Sequence, residues 1–454
     1  MQIPILSNIR ELDNAPRRFL LFIAFNVVSW QSIVGPSLVL FARRIDMPPS
    51  WVGFLISFMP LSTLLVIPAA PLITRLGPKR VMLGGWLFRN LLACIVFLVP
   101  TAILHGSVRA GWYVLALATL GFCLMRAVGA GGWFPWLHEV VPDGQRGSYF
   151  SAEAAVTQLL NVIVMLGQAV ALRAATGLAP FLGIYAVGIA SGLVSLAWMG
   201  RVPGGSGSPG GNSVRRTYET YRSALQDRPF LIFVATAALC FSCTSWSSSA
   251  AVLYMRDKLQ LPPRVIMELS AAGSMAIFLT IRFWGRFAEH SGSGRAMFKT
   301  LTAHSLAALA FLLVAPNGTP HMPVLIAAVV FSSLFNAAFW MATHRAMLNY
   351  IQASSRVGYS NIWTAGTALS LGLTPIFAGF VIDRFGLAGF RTCFLVSGMA
   401  GLVCAVACRS VVREGAPASW ALRDILNPVL PVRTLARIAW ITLGLDESNR
   451  QDSI

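Results

Sequence analysis

Apolar residues run through this chain in twelve blocks, at approximately 18–41, 51–74, 81–104, 110–136, 149–172, 178–200, 229–255, 262–284, 296–315, 321–343, 359–382 and 388–408. Each block is 20 to 27 residues long. A helix rises about 1.5 Å per residue, so each block is long enough to cross the ~30 Å hydrocarbon layer of a bilayer. The pattern predicts an all-α membrane protein of twelve transmembrane helices, numbered here as spans 1 to 12. The first block follows Arg10, Glu11, Asp13, Arg17 and Arg18 and is too long for a signal-peptide core, which predicts an uncleaved first helix. A thirteenth apolar stretch, Val429 to Leu445, is short for a span. Arg433 and Arg437 stand four residues apart on one helical face, which predicts a helix lying on the membrane surface.

Composition removes the soluble alternatives. The chain is 56% hydrophobic and 11% charged, where a soluble domain is roughly a quarter charged. Its net charge of +18 would fit a nucleic-acid face, but the 35 basic residues are scattered between the apolar blocks. That placement orients a membrane protein instead, because Lys and Arg resist translocation. The N-terminal end and the loops on its side hold 17 basic residues and the opposite loops hold 9, which predicts both termini in the cytoplasm. All seven cysteines fall inside apolar blocks, and Cys240-Phe-Ser-Cys243 has no second pair nearby in sequence to complete a zinc site. They read as small packing residues.

The longest interruption, 201–228, opens with a run of Pro, Gly and Ser, a composition that predicts a flexible solvated linker. It divides the chain into a first six-helix unit at 1–200, a second at 229–409, and a tail at 410–454. The two units echo each other. Met47-Pro48-Pro49-Ser50 after span 1 is answered 214 residues later by Leu261-Pro262-Pro263-Arg264 after span 7. Gly77-Pro78-Lys79-Arg80 is answered by Gly292-Ser293-Gly294-Arg295, Arg146-Gly-Ser-Tyr149 by Arg356-Val-Gly-Tyr359, and Ser29-Trp30 by Ser245-Trp246. Repetition in order at a near-constant offset predicts two six-helix bundles in parallel orientation.

Six plus six helices with such halves resemble the major facilitator superfamily. That family marks the loop after span 2 with Gly-x3-Asp-Arg-x-Gly-x-(Arg/Lys)-(Arg/Lys). Here Ala70-x3-Thr74-Arg75-Leu76-Gly77-Pro78-Lys79-Arg80 keeps the Arg, the turn glycine and the basic pair, and lacks the acid. The second copy, Gly285-x3-Glu289-His290-Ser291-Gly292, retains an acid. Gly379-x3-Asp383-Arg384-Phe385-Gly386 is similar to the signature at the end of span 11, and Arg126-x2-Gly129-x-Gly131-Gly132 to the buried arginine of span 4. The resemblance implies a secondary transporter working by alternating access, without a cofactor, with the motif acid tying its loop to the facing half in one access state. The basic side chains of the loop would sit at the lipid surface. Span 5 lacks the Gly-Pro-x-x-Gly-Gly run of drug–proton antiporters, which counts against drug efflux. The opening residues, Leu6 to Arg10 and Asn26 to Gln31, are also similar to the permeases of magnetosome gene islands (MamH-like). That second resemblance implies iron or an iron complex as cargo, in the inner membrane or the magnetosome membrane.

In this fold spans 1, 4, 7 and 10 are expected to line a central cavity, and polar residues do concentrate on them. Span 10 carries Ser332, Asn336, Trp340 and His344 at successive i+4 positions, one stripe along one face. Span 1 offers Asn26, Trp30 and Gln31, span 7 offers Ser245 and Trp246, and span 4 offers Arg126. For any hydroxyl or amide taken alone, the plain alternative is a hydrogen bond between helices. Arg126 is the sharpest, since a cation in hydrocarbon costs several kcal/mol unless paired or hydrated. Arg89 in span 3 lies at similar depth and reads as a packing or snorkelling residue. Glu153 and Glu268 are candidates for carrying a coupling proton, or for pairing with Arg146 and Arg264. His304 reads as hydrogen-bonded within the core.

No His, Asp or Glu cluster has metal-ligand spacing, so an anion, or a metal carried as an anionic chelate, suits this excess of Arg better than a bare cation. No phosphate-binding loop of the nucleotide-hydrolysing type and no nucleophile–base set is present, which leaves an ion or solute gradient as driving force and excludes enzyme classes. The rival reading is a non-transporting scaffold that docks protein partners through its tail, for which Thr74 in place of the acid is the main argument.

Overall fold

The structure is a computed structural model and describes residues 12–142, 145–173, 177–206, 214–314, 321–351 and 355–412. The tail helix expected at 429–445 lies outside the described residues. Twelve helices among those described are long and apolar enough to cross a membrane. They are span 1 (Asn14–Arg44), span 2 (Pro49–Ala69), span 3 (Pro78–His105), span 4 (Val108–Ala130), span 5 (Ala152–Ala171) and span 6 (Ala179–Gly200), then span 7 (Arg228–Asp257), span 8 (Pro263–Ile281), span 9 (Ser293–Leu313), span 10 (Met322–Tyr350), span 11 (Gly358–Phe385) and span 12 (Leu387–Val411). An even number of crossings puts the start of span 1 and the end of span 12 on one face, called here the terminal face. The opposite face is the far face.

Local chemistry explains where the helices bend. Span 1 breaks at Gly35-Pro36, where the proline ring removes an amide donor and crowds the preceding turn. Span 12 contains a single wider π turn at Val396–Ala400. Asp227 starts span 7 by accepting the Phe230 amide, and Ser107 starts span 4 by accepting that of Ala110.

The repeat seen in the sequence is also a repeat of backbone conformation. Among the described residues the two non-glycine positions with positive φ are Asp46 (54°) and Gln260 (52°), which are equivalent in the two halves. Gly77 and Gly292 both turn with φ near 85° and ψ of 147°, a conformation that only glycine adopts without strain. Arg146 and Arg356 each open a long helix. Two parallel six-helix bundles account for all three matches.

Burial divides the core unequally. One apolar cluster runs along the far face and takes residues from both bundles, with Phe41, Phe122 and Tyr185 from the first beside Leu253, Phe311 and Phe394 from the second. At the terminal face the core separates. Phe19, Trp86, Trp136 and Tyr149 form a cluster within the first bundle, and Phe233, Phe241, Phe339 and Trp363 form another within the second. The bundles therefore close against each other at the far face and part towards the terminal face.

In its described parts, 201–206 and 214–228, the linker departs from the solvated coil expected of it. Its first residues are docked on the first bundle: Lys79 Nζ donates to the Val202 carbonyl (2.6 Å), Trp136 Nε1 to that of Pro203 (2.9 Å), and the Gly205 amide to Glu139 Oε2 (2.8 Å). Lys79 is thus occupied by the linker and not by the lipid surface, because an ammonium with a backbone acceptor this close has its charge partly satisfied within the protein. Residues 214–226 form a helix against the start of span 11, where Asn361 Nδ2 donates to the Tyr221 hydroxyl. Next to it the Tyr359 hydroxyl donates to Asp227 Oδ2 (2.6 Å).

Candidate functional site

The far face is closed by contacts between equivalent ends of the two halves. Arg43 at the end of span 1 pairs with Asp257 at the end of span 7 (2.9 Å), and these positions are 214 residues apart, the repeat offset itself. Duplication thus put an arginine and an aspartate at matching places beside the pseudo-symmetry axis, where they meet. Arg43 also donates to the Met47 carbonyl (2.5 Å), which fixes the turn that follows. Asp383 accepts the amide of Ser50 (2.8 Å), so the acid of the span-11 motif sits at the start of span 2. Spans 2 and 11 touch backbone to backbone there, since a methyl group on Gly53 or on Gly379 would overlap the facing chain at Pro375 or at Pro49.

Towards the terminal face each bundle contributes a wall of different character. In the first bundle, Asn26 Oδ1 accepts from Arg89 Nη2 (2.7 Å) and from Trp86 Nε1 (3.0 Å). The Arg89 guanidinium lies over the Trp86 ring (4.6 Å) and the Phe122 ring (4.9 Å). Arg89 is fully buried, and its Nε and Nη1 have no hydrogen-bond partner. Arg126 of span 4 is half-buried. Among the described residues no carboxylate pairs with either guanidinium. Of the two readings of Arg89, packing and snorkelling, the structure fits the first, because Asn26 and two aromatic faces draw it inward.

The second bundle presents an aromatic wall. Trp340 packs on Phe241 (centroids 4.5 Å) and stacks with His344 (5.0 Å), which meets Trp363 edge-on (5.8 Å). Phe233 stacks between Trp363 (5.4 Å) and Tyr350 (4.6 Å). His344 is exposed, beside Trp340 of its own span and Trp363 of span 11. Its Nδ1 meets the Trp340 carbonyl (2.8 Å). Asn336 is half-buried, and its side-chain oxygen has no partner.

The remaining candidates divide. Ser332 leaves the span-10 stripe: its carbonyl and hydroxyl meet His304 Nδ1 (3.0 and 3.4 Å), whose Nε2 meets Ser247 (3.2 Å), which accepts from Ser397 (2.9 Å). That network lies inside the second bundle, where His304 is a hydrogen-bonded core residue. Trp30 and Trp246 pack against the far-face cluster, Gln31 is buried with its amide nitrogen unpartnered, and Ser245 is buried. Glu268 pairs with Arg264 (2.6 Å) on an exposed helix surface, four residues apart, which makes it a surface ion pair and not an enclosed proton site. Glu153 is half-buried with one carboxylate oxygen enclosed and unpartnered. In the loop motifs Arg75, Arg80, Glu289 and Arg384 are exposed, while the Thr74 and Arg146 side chains lie outside the described residues. Gly285 adjoins Met341, and Gly386 ends span 11 with positive φ.

Sequence reasoning missed Arg89, Phe241 and Trp363 as members of these walls. Arg89 carried the available signal, a cation eight residues inside the apolar block 81–104. The two aromatic residues carried none, since bulky apolar side chains are ordinary inside a membrane helix.

Comparison with known proteins agrees with this architecture. The model of the Major Facilitator Superfamily matches residues 234–445. A point mutant of the nucleoside transporter NupG superposes with a TM-score of 0.68 at 11% identity, covering 88% of this chain and all of that one. A bacterial homologue of the iron transporter ferroportin, in its inward-facing state, gives 0.68 at 13% identity, covering 88% and 99%. A bacterial metal transporter gives 0.64 at 15% identity, covering 89% and 100%. No curated protein matches the sequence.

Proposed function

For a multi-pass membrane protein of the major facilitator fold, we propose secondary transport of a small anionic solute by alternating access, with the terminal face cytoplasmic. One observation carries the substrate class: Arg89 is fully buried with two guanidinium nitrogens unpartnered, and neither it nor Arg126 has a carboxylate partner among the described residues. Such charges are costly in hydrocarbon, and a bound anion between the bundles offsets that cost. Guanidinium suits the task because its planar fork of donors matches carboxylate and phosphate oxygens. Arg89, held by Asn26, supplies fixed positive potential, and Arg126, which keeps accessible surface, makes the direct contact. The aromatic wall around Trp340 and His344 gives the solute a second, apolar surface to pack on.

Known neighbours of this fold include transporters of nucleosides and of metals. Among the described residues no group of three or more His, Cys, Asp and Glu is arranged to hold a metal ion. An iron cargo, which the opening residues favour by resemblance, is therefore served best as an anionic chelate. Glu153, half-buried in span 5 with one carboxylate oxygen enclosed, is the residue proposed to carry a coupling proton.

Reconstitution in sealed vesicles tests the reading. Uptake of radiolabelled phosphate, citrate and ferric citrate is expected to exceed that of empty vesicles for at least one anion, and to fall to background in Arg126→Ala. A protein that inserts and folds but moves none of a broad anion panel would favour the scaffold reading.

A further inference from the structure

Four of the seven cysteines meet between spans 7 and 12. Cys240 Sγ lies 3.4 Å from Cys408 Sγ, and Cys243 Sγ lies 3.8 Å from Cys404 Sγ. Cys240 Sγ also reaches the Cys404 carbonyl (4.0 Å). The spacing explains the register. Cys240 and Cys243 are one helical turn apart on span 7, Cys404 and Cys408 are one turn apart on span 12, and the helices run antiparallel, so the thiols form two rungs. In the sequence the CxxC motif has no second pair nearby to complete a zinc site; the fold brings in a second pair from more than 160 residues away, as thiols facing thiols. Helix packing alone asks only for small residues, and Ala, Gly or Ser would serve it. It gives no reason for thiols to face thiols twice.

Exposure orders the four. Cys240 and Cys408 are fully enclosed, Cys243 is buried, and Cys404 is half-buried. Among the described residues no group of three or more metal-binding side chains is placed to hold an ion, and the thiols meet as pairs. A disulfide needs each Sγ–Sγ separation to shorten by roughly 1.5 Å, within reach of side-chain rotation.

We propose that these two rungs are a disulfide-forming modification site whose co-reactant is a hydroperoxide, entering at Cys404. The Cys404 sulfur attacks the peroxide oxygen and the O–O bond breaks. Water or an alcohol leaves with the thiol proton, and Cys404 becomes a sulfenic acid. The Cys243 sulfur then attacks the Cys404 sulfur, the S–O bond breaks, and hydroxide leaves as water with the Cys243 proton. Two thiols have lost two electrons and the hydroperoxide has gained them.

The disulfide next passes inward by exchange. Cys240 attacks the Cys404 sulfur and releases Cys243, which takes up the Cys240 proton. Cys408 then attacks the Cys240 sulfur and releases Cys404, which takes up the Cys408 proton. The Cys240–Cys408 rung is now oxidised, and the outer rung is free to meet a second hydroperoxide. Both bonds staple span 7 to span 12.

Full-length protein in lipid nanodiscs tests this with two probes, hydrogen peroxide from water and cumene hydroperoxide from the apolar phase. After exposure, free thiols are alkylated, the protein is unfolded and reduced, and newly released thiols receive a second label for peptide mass mapping. The four rung cysteines are expected to oxidise at least on the order of tenfold faster than Cys123 and Cys393, as linked span 7–span 12 peptides. The probe that acts faster identifies the source of the peroxide. Cys404→Ser is expected to slow the Cys240–Cys408 bond by a factor on the order of ten, while Cys408→Ser leaves Cys243–Cys404 forming normally. Should a variant fail to insert, mapping of the unmodified chain decides alone. Rung cysteines no more reactive than Cys123 and Cys393 under both probes would overturn the proposal. Wild-type oxidation of the inner rung in Cys404→Ser would overturn the order of entry.

Discussion

The far face and the terminal face are built from the same duplicated unit, yet one is sealed and the other parted. At the far face, equivalent positions carry complementary groups: Arg43 meets Asp257, and the Asp383 carboxylate accepts the Ser50 amide. A single apolar cluster lies between them. At the terminal face the motif that should supply the matching acid has Thr74 in its first copy, and the apolar core falls into one cluster per bundle. A duplicated chain closes where its two copies have diverged into partners, and opens where one copy has lost its acid, as at Thr74, while the other keeps it, as at Glu289.

The largest effect that can break this comparison is access. With native cysteines replaced by serine, a thiol at His344→Cys is expected to react with a water-soluble reagent on the order of 100-fold faster than one at Ala42→Cys in the far-face cluster. Alkylation rates in nanodiscs measure it, and equal rates would mean that the two faces are not different. Loosening the seal gives a smaller effect. Arg43→Ala or Asp257→Ala removes a partly buried, hydrogen-bonded ion pair worth about 1–2 kcal/mol, which raises far-face labelling of Ala42→Cys roughly 5- to 30-fold. The exchanged pair, Arg43→Asp with Asp257→Arg, should restore most of the closure. Single variants that label like the parent would show that apolar packing holds the face shut without the ion pair. The smallest effect belongs to Glu268→Gln. Its exposed pair with Arg264 contributes less than ~1 kcal/mol, so flux and its pH dependence should be unchanged, whereas Glu153→Gln should flatten the pH dependence.

Much of this was legible in the sequence, because a membrane span has to be written as a continuous apolar run and a duplicated turn keeps its prolines and glycines. The twelve spans, the two halves and the turns at Gly77 and Gly292 all follow from that redundancy. What stayed hidden depends on which face of a helix meets which neighbour. Arg89 looked peripheral because nothing in span 3 announces that Asn26 of span 1 will accept its hydrogen bond. Ser332 looked like a cavity residue because a stripe at i+4 spacing does not reveal that its end turns towards His304. The linker read as flexible from its glycines, yet Gly204 and Gly205 adopt positive φ in a segment that Lys79, Trp136 and Glu139 hold in place. Glu268 and Glu153 looked alike as carboxylates near span ends, and only burial separates a solvated ion pair from an enclosed acid.

The central claim is that the parted side of the molecule presents Arg126 to an anion. The measurement that bears on it most directly is affinity and thermal stability on one preparation, comparing the wild type with Arg126→Ala and Arg126→Lys for the anion that gives the strongest vesicle flux. The account predicts that Arg126→Ala weakens binding at least on the order of tenfold with its melting temperature nearly unchanged, and that Arg126→Lys recovers only part of the loss, because an ammonium lacks the planar fork. An Arg126→Ala protein that melts early but binds the anion with wild-type affinity would contradict it, and would make Arg126 a brace for span 4.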